Sequence, residues 1–327
     1  MNQVKKLFSR YGILIILVLM FVFFSIASPA FLQVNNLINV SRQISMLGIA
    51  AVGLSFVIIT GGIDLSVSSN VALVCIMTAV SMVWWNLGVF PSIVIGILSS
   101  ATVGAFNGFC VTRLRIPPLI TTLATMISVR GLVYMISGGL PIFGFPESFD
   151  VFGRGMVGGI PVPVLIMIAV FIVGWFILNK TCYGKYLYAV GGNAEAARLS
   201  GINVKKTLFQ TYLYSGIFAG IAGIILLSRS NSGQPTAAIQ FEMDVISSVV
   251  IGGISISGGA GRFTGVIFGV LIRGILNNGL VLLNVNTFAQ QFISGFVLLL
   301  AVGIDQYVKH RANQVQIRKI AIGARQK

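Results

Sequence analysis

Apolar stretches of about twenty residues recur along this chain, and about twenty is the length an α-helix needs to cross the hydrocarbon core of a bilayer. Ten candidate spans stand at about 12–31, 44–60, 67–85, 89–112, 117–137, 161–179, 209–228, 242–257, 263–282 and 288–307, the second, eighth and ninth being short or interrupted by glycine. Charged residues make up only 9% of the sequence, against roughly 25% in soluble domains. A mean hydropathy of +0.95 excludes a soluble globular domain. The expected fold is an all-α polytopic membrane protein of about ten helices, one domain over residues 1–327.

The net charge of +15 would suit a nucleic-acid partner, but the placement of the charges argues for topology instead. With the N-terminus inside, the cytoplasmic face collects Lys5, Lys6, Arg10, Arg113, Arg115, Lys180, Lys185, Arg198, Lys205, Lys206, Arg262, Lys309, Arg311, Arg318, Lys319, Arg325 and Lys327, which is 17 of the 22 basic residues. The outer face keeps Arg42, Arg154 and Arg229, while Arg130 and Arg273 fall within spans. The opposite orientation inverts this bias, so an even number of spans with both termini cytoplasmic is expected. Ser25-Ile26-Ala27 resembles a cleavage site, but the long apolar run and the parity favour an uncleaved first span. Cys75, Cys110 and Cys182 form no disulfide framework and read as small packing residues.

Three hydrophilic stretches stand out: an outer loop at 138–160 with Glu147, Asp150 and Arg154, an inner loop at 180–208, and a basic tail at 308–327 suited to an anionic inner leaflet. Within the inner loop, GGNAEAARLSGI at 191–202 is a short capped helix. Asn193 is the N-cap, Glu195 lies in the first turn, Arg198 in the last, and Gly201 is the stop. A helix of about seven residues is unstable alone in water. It therefore reads as a docking element held by a partner or by its flanking spans.

Glycines at helix-packing spacing, Gly104/Gly108, Gly216/Gly220 and Gly265/Gly269, predict close helix contacts, within one bundle or between protomers, rather than ligand sites. GGIDLS at 61–66 and GGISIS at 252–257 resemble each other, each lying between two apolar helices. Such breaks mark the substrate path in transporters built from repeats. The charge-derived topology puts both on one face, whereas inverted five-helix halves would put them on opposite faces; either a span is miscounted or the match is chance.

Ionisable and amide side chains at membrane depth are the candidate path or gate residues. They are Asp64 with Ser66, Asn107, Arg130, Asn277, Asn278 and Gln290. Each has a structural alternative: Asp64 as a helix cap, Arg130 satisfied by a carboxylate or several carbonyls, the amides as interhelical hydrogen bonds. Arg273 needs a partner too, and Glu242 and Asp244 suit the start of a helix. The chain lacks a phosphate-binding G-x-x-x-x-G-K-[ST] loop, and its one histidine, His310, sits in the tail. No catalytic residue, metal site or cofactor is expected, and the chain is not expected to hydrolyse ATP.

GGIDLSV at 61–67, ITTLATM…RG at 120–131, GGNAEAARLSGINV at 191–204, SGQPTA at 232–237, VVIGGISISGGAGR at 249–262 and NNGL at 277–280 occur in the order and spacing of a known family. On these motifs the chain resembles the membrane permease subunits of bacterial ABC sugar importers of the ribose, arabinose and xylose type, over nearly its whole length. Ser68 departs from the usual glycine after GIDLSV. The resemblance implies a multi-pass protein of the inner membrane, working as a permease dimer (homomeric or heteromeric). It also implies a periplasmic sugar-binding protein and a cytoplasmic ATPase that binds ATP and Mg. Gly191, Gly192, Asn193, Glu195, Arg198 and Gly201 would couple to the ATPase. Glu147, Asp150, Arg229 and Glu242 are candidate contacts for the binding protein. The implied cargo is a pentose or related monosaccharide, ribose being favoured. The competing reading from the residues alone is an ion-coupled secondary sugar transporter using Asp64, which would work without an ATPase; a membrane scaffold or receptor without transport is a third.

Overall fold

The structure, a computed structural model, describes residues 2–303 and 306–307. It is a bundle of helices: α1 (Asn2–Ala27), α2 (Val34–Ile59), α3 (Val67–Val83), α4 (Val89–Thr112), α5 (Pro118–Ser137), α6 (Val151–Arg154), α7 (Val162–Lys180), α8 (Cys182–Gly192), α9 (Ala194–Leu199), α10 (Val204–Ser230), α11 (Phe241–Ile251), α12 (Phe263–Leu282) and α13 (Thr287–Gly303). A 3-10 turn at Glu147–Phe149 and a two-stranded hairpin, β1 (Met156–Val157) with β2 (Ile160–Pro161), decorate the long loop after α5. Among the described residues six helices (α2, α4, α5, α7, α10 and α12) are long and apolar enough to cross a membrane, and three shorter apolar helices (Gly12–Ala27, α3 and α13) accompany them.

The hydrophobic pattern located these helices well, with two corrections: the expected span at 44–60 covers only the buried part of α2, which begins ten residues earlier at Val34, and the eighth span is too long. The expected span at 242–257 is the 11-residue helix α11, which stops at Ile251. At 1.5 Å per residue it is about 16 Å long, half a crossing. Gly252 and Gly253 end it, and irregular chain runs on to Arg262. The basic tail at 308–327 lies outside the described residues.

The core is built around α2, which is buried from Ile44 to Ile59 and packs against α7, α10, α11 and α12. Its core hydroxyls need no outside partner, because Ser45 and Ser55 donate to the carbonyls of Ser41 (2.6 Å) and Val52 (2.7 Å) on the same helix. On the other side α10 crosses α4 and α3. At the α4–α10 crossing a Cβ on Gly216 would lie 2.5 Å from the Ser100 carbonyl, and one on Gly104 would strike the Tyr212 carbonyl. Ser100 Oγ also donates to the Gly216 carbonyl at 2.6 Å. Gly265 and Gly269 face the backbone of Gly252 and Ser248 in the same way, bringing α12 onto α11. The three glycine pairs thus pack helices of this one chain.

Contacts sort the loops into two ends. At one end lie the α2–α3 and α11–α12 breaks and the α7–α10 connection with α8 and α9. At the other, Arg42 at the start of α2 donates to the Arg154 carbonyl (2.7 Å), and Ser228 near the end of α10 donates to the Phe149 carbonyl (2.6 Å).

Candidate functional site

Three polar assemblies interrupt the apolar bundle. The first is the α7–α10 connection. Thr181 caps α8 by accepting from the Gly184 N–H at 3.2 Å, and Asn193 caps α9 by accepting from Ala196 N–H at 2.9 Å. Arg198 Nε donates to both Glu195 oxygens, at 3.2 and 3.0 Å. These hydrogen bonds, reinforced by the Arg198 charge, hold the Glu195 carboxyl below the usual carboxylate range. Gly201 turns the chain at φ +82°, and Asn203 caps α10 at Lys206 N–H (3.0 Å). Of the expected coupling residues, Gly192, Asn193, Glu195, Arg198 and Gly201 are exposed, while Gly191 and Gly192 close α8 rather than open α9. Sequence reasoning passed over Leu199, which is 76% exposed at the end of α9; an apolar residue in a polar capped helix was the available signal.

The end of α8 is pressed between the two breaks. The Gly259 N–H donates to the Ile59 carbonyl at 2.8 Å, joining the α11–α12 break directly to the end of α2. Gly191 lies against the same joint: a Cβ there would overlap the Ile59 carbonyl and approach Gly259 N at 2.6 Å. Gly258 (φ +78°) and Gly259 (φ +69°) supply left-handed backbone that only glycine adopts freely. Tyr188 of α8 adds a hydrogen bond to the Gly261 carbonyl at 3.1 Å. GGIDLS and GGISIS therefore occupy one end and touch.

The second assembly is centred on Asp64, which is 0% exposed. Its Oδ1 accepts from the Ser66 N–H (2.9 Å) and Ser66 Oγ (2.6 Å), and its Oδ2 accepts from Ser215 Oγ of α10 (2.7 Å). Asn107 of α4 donates to Ser66 Oγ at 2.9 Å, and Thr122 of α5 donates to the Ile63 carbonyl at 3.1 Å. The expected path residues Asp64, Ser66 and Asn107 are thus brought together in one buried network that ties the α2–α3 break to three helices, with Asn107 Oδ1 left without a partner among the described residues.

The third assembly is a cavity of about 520 Å³ between α11, α12 and α13, with Gln43 of α2 in its wall. Asn277 and Gln290 line it, joined by Glu242, Asp244 and Arg273. Arg273 is 1% exposed and pairs with Asp244 through Nε (3.1 Å) and a short contact from Nη2, and Asn277 donates to the other Asp244 oxygen at 3.3 Å. The remaining candidates lie apart. Asn278 exchanges hydrogen bonds with Asn36 (2.8 and 3.1 Å), fastening α12 to α2. Arg130 donates to the carbonyls of Pro235 and Ala237 at 2.9 and 2.8 Å, holding the irregular 231–240 segment that leads into α11. Glu147 is exposed on the 3-10 turn, Asp150 pairs with Arg154 at 3.8 Å, and Arg229 is partly buried beside Met46. Glu242 is 7% exposed and belongs to the cavity wall rather than to the outer surface.

A family model described as the permease component of branched-chain amino acid transport systems matches residues 36–302. The chain is 42% identical over 306 residues to the Ribose import permease protein RbsC of Bacillus subtilis (strain 168), covering 92% of this chain and 93% of that one. It is 42% identical over 296 residues to RbsC of Escherichia coli (strain K12), covering 89% and 92%. To the L-arabinose transport system permease protein AraH of Escherichia coli (strain K12) it is 40% identical over 304 residues, covering 92% of each chain. No solved structure matches. The chain therefore belongs to the family described as branched-chain amino acid transport system permease components, and is a multi-pass membrane permease subunit.

Proposed function

We propose that this chain is the permease subunit of an ATP-driven importer of a monosaccharide, a pentose such as ribose or arabinose. It lies in the bacterial inner membrane with ten membrane segments, α11 being a half-length one, and both termini cytoplasmic. A periplasmic binding protein delivers the sugar, a second permease protomer completes the translocator, and a cytoplasmic ATPase carries the ATP and Mg. The family description names amino acids, but the relatives matching most of both chains are named for ribose and arabinose. The reading therefore takes a sugar.

The carrying observation is the joint beneath α9. An exposed capped helix is the handle, and Gly191 at its root lies against the backbone contact between the two breaks. When the ATPase closes on ATP, it pushes α9 and α8. The rigid α8 end then shifts the α2–α3 and α11–α12 breaks relative to each other, and α11 and α12 transmit that shift to the cavity. Asp64, enclosed and fully hydrogen-bonded, acts as a rigid anchor rather than an ion site.

Vesicles containing this chain, its ATPase and its binding protein should take up labelled pentose only when ATP is present, and an uncoupler should leave the rate unchanged. Uptake by the permease alone, abolished by an uncoupler, would sink the reading in favour of secondary transport.

A further inference from the structure

We propose that the cavity between α11, α12 and α13 is where the permease grips its cargo, and that Glu242, Arg273 and Gln290 are its principal contacts with the hydroxyls of a neutral polyol. This rests on the importer reading and deepens it, because it assigns the recognition station and the chemistry recognised.

Three observations place cargo here. First, the wall residues carry buried polar atoms that no group among the described residues satisfies, Glu242 Oε2 and Arg273 Nη1. An acceptor and a donor buried without partners, on two residues of one wall, cost stability until a shift of that wall lets something complete them. Second, the chain before α11 is irregular where it passes Arg130, a residue well inside α5. Non-helical backbone at membrane depth is tolerated where it is buried in protein or lines a water-filled cavity, and Ile239 and Gln240 of this segment line the cavity. Third, about 520 Å³ accommodates a monosaccharide with a few waters, being within the ~300–1,000 Å³ of small-molecule sites.

The wall chemistry selects the class. A sugar hydroxyl both donates and accepts, as do the amides of Gln43, Asn277 and Gln290, while Glu242 accepts and Arg273 donates. An amino acid would add a carboxylate and an ammonium to a wall whose guanidinium already balances Asp244. The carboxylate would compete with Asp244 for Arg273, whereas a hydroxyl at Nη1 leaves that pair intact. In the Asp64 network both carboxylate oxygens are already taken by Ser66 and Ser215.

The test uses the assembled complex in vesicles. In a Cys182→Ser background, which removes the exposed thiol and leaves the buried Cys75 and Cys110, Ser294→Cys on α13 is exposed to a charged thiol reagent from outside. Millimolar ribose or arabinose should slow labelling at least threefold, and leucine should not. Protection by leucine alone, equal labelling with and without pentose, or no labelling would each overturn the assignment. Independently, Glu242→Gln, which keeps size and shape, should lower the sugar delivered per ATP hydrolysed at least fivefold. A structural defect lowers both rates together, so an unchanged ratio overturns the role of Glu242. Failure of the importer reading would show instead as no ATP-dependent uptake by the unsubstituted complex.

Discussion

Asn193 illustrates how single side chains bear on coupling. Its carbonyl oxygen on the side chain closes the first turn of a six-residue helix whose one buried residue is Ala197. Asn193→Ala should weaken α9 by about 1 kcal/mol, and ATPase binding, measured by titration on permease in nanodiscs, should fall about fivefold. The neighbouring Glu195–Arg198 pair sets a pH dependence. Because Arg198 depresses the Glu195 pKa in the folded helix, its contribution is present above the unfolded carboxylate value of 4.5 and is lost as pH falls through the lower folded value. Docking should therefore be flat at neutral pH and weaken only under acid, and Glu195→Gln should abolish that acid limb in the same titration. Asn193, Glu195, Arg198 and Gly201 were legible in the sequence because capping is local chemistry. Leu199 was not singled out, since exposure depends on what the fold brings over it.

Helices and breaks show where local reading stops. Apolar length located almost every helix, but α11 was drawn too long, because apolar chain beyond Ile251 continues without helical hydrogen bonding. The inner loop at 180–208 holds a second helix, α8, besides the capped one expected there. Arg130 was expected to need a carboxylate or several carbonyls, and it takes two carbonyls a hundred residues away. Arg130→Met should leave both unsatisfied and cost about 2–4 kcal/mol, seen as a lower melting temperature in detergent and faster proteolysis near 231–240. Gly191→Val places a branched side chain into the Ile59 carbonyl and should push α8 off the breaks. The expected outcome is ATP hydrolysis with uptake reduced at least tenfold; normal uptake would show that the joint carries no motion.

At the scale of the molecule, the two breaks lie at one end and the α6–hairpin loop at the other, as the distribution of basic residues had anticipated for the breaks. Cysteine scanning checks the proposed orientation: in a Cys182→Ser background, Arg154→Cys should label from outside intact cells and Arg198→Cys only after permeabilisation. The candidate path residues were identified one by one from polarity at membrane depth. That criterion picked out Asn277 and Gln290, which line the cavity, and equally Asp64, Ser66 and Asn107, which share one buried network. Which of them come together is set by residues far apart in sequence, such as Ser215 with Asp64 or Arg273 with Asp244. The meeting of the breaks through Gly259 N–H and the Ile59 carbonyl has one more consequence. Both partners are main-chain atoms, so no side-chain deletion removes them, and an alanine scan that leaves glycines untouched would cross this region without a phenotype. The joint would come to light by replacing the Gly259 amide with an ester, or by growing side chains at the bare positions around it.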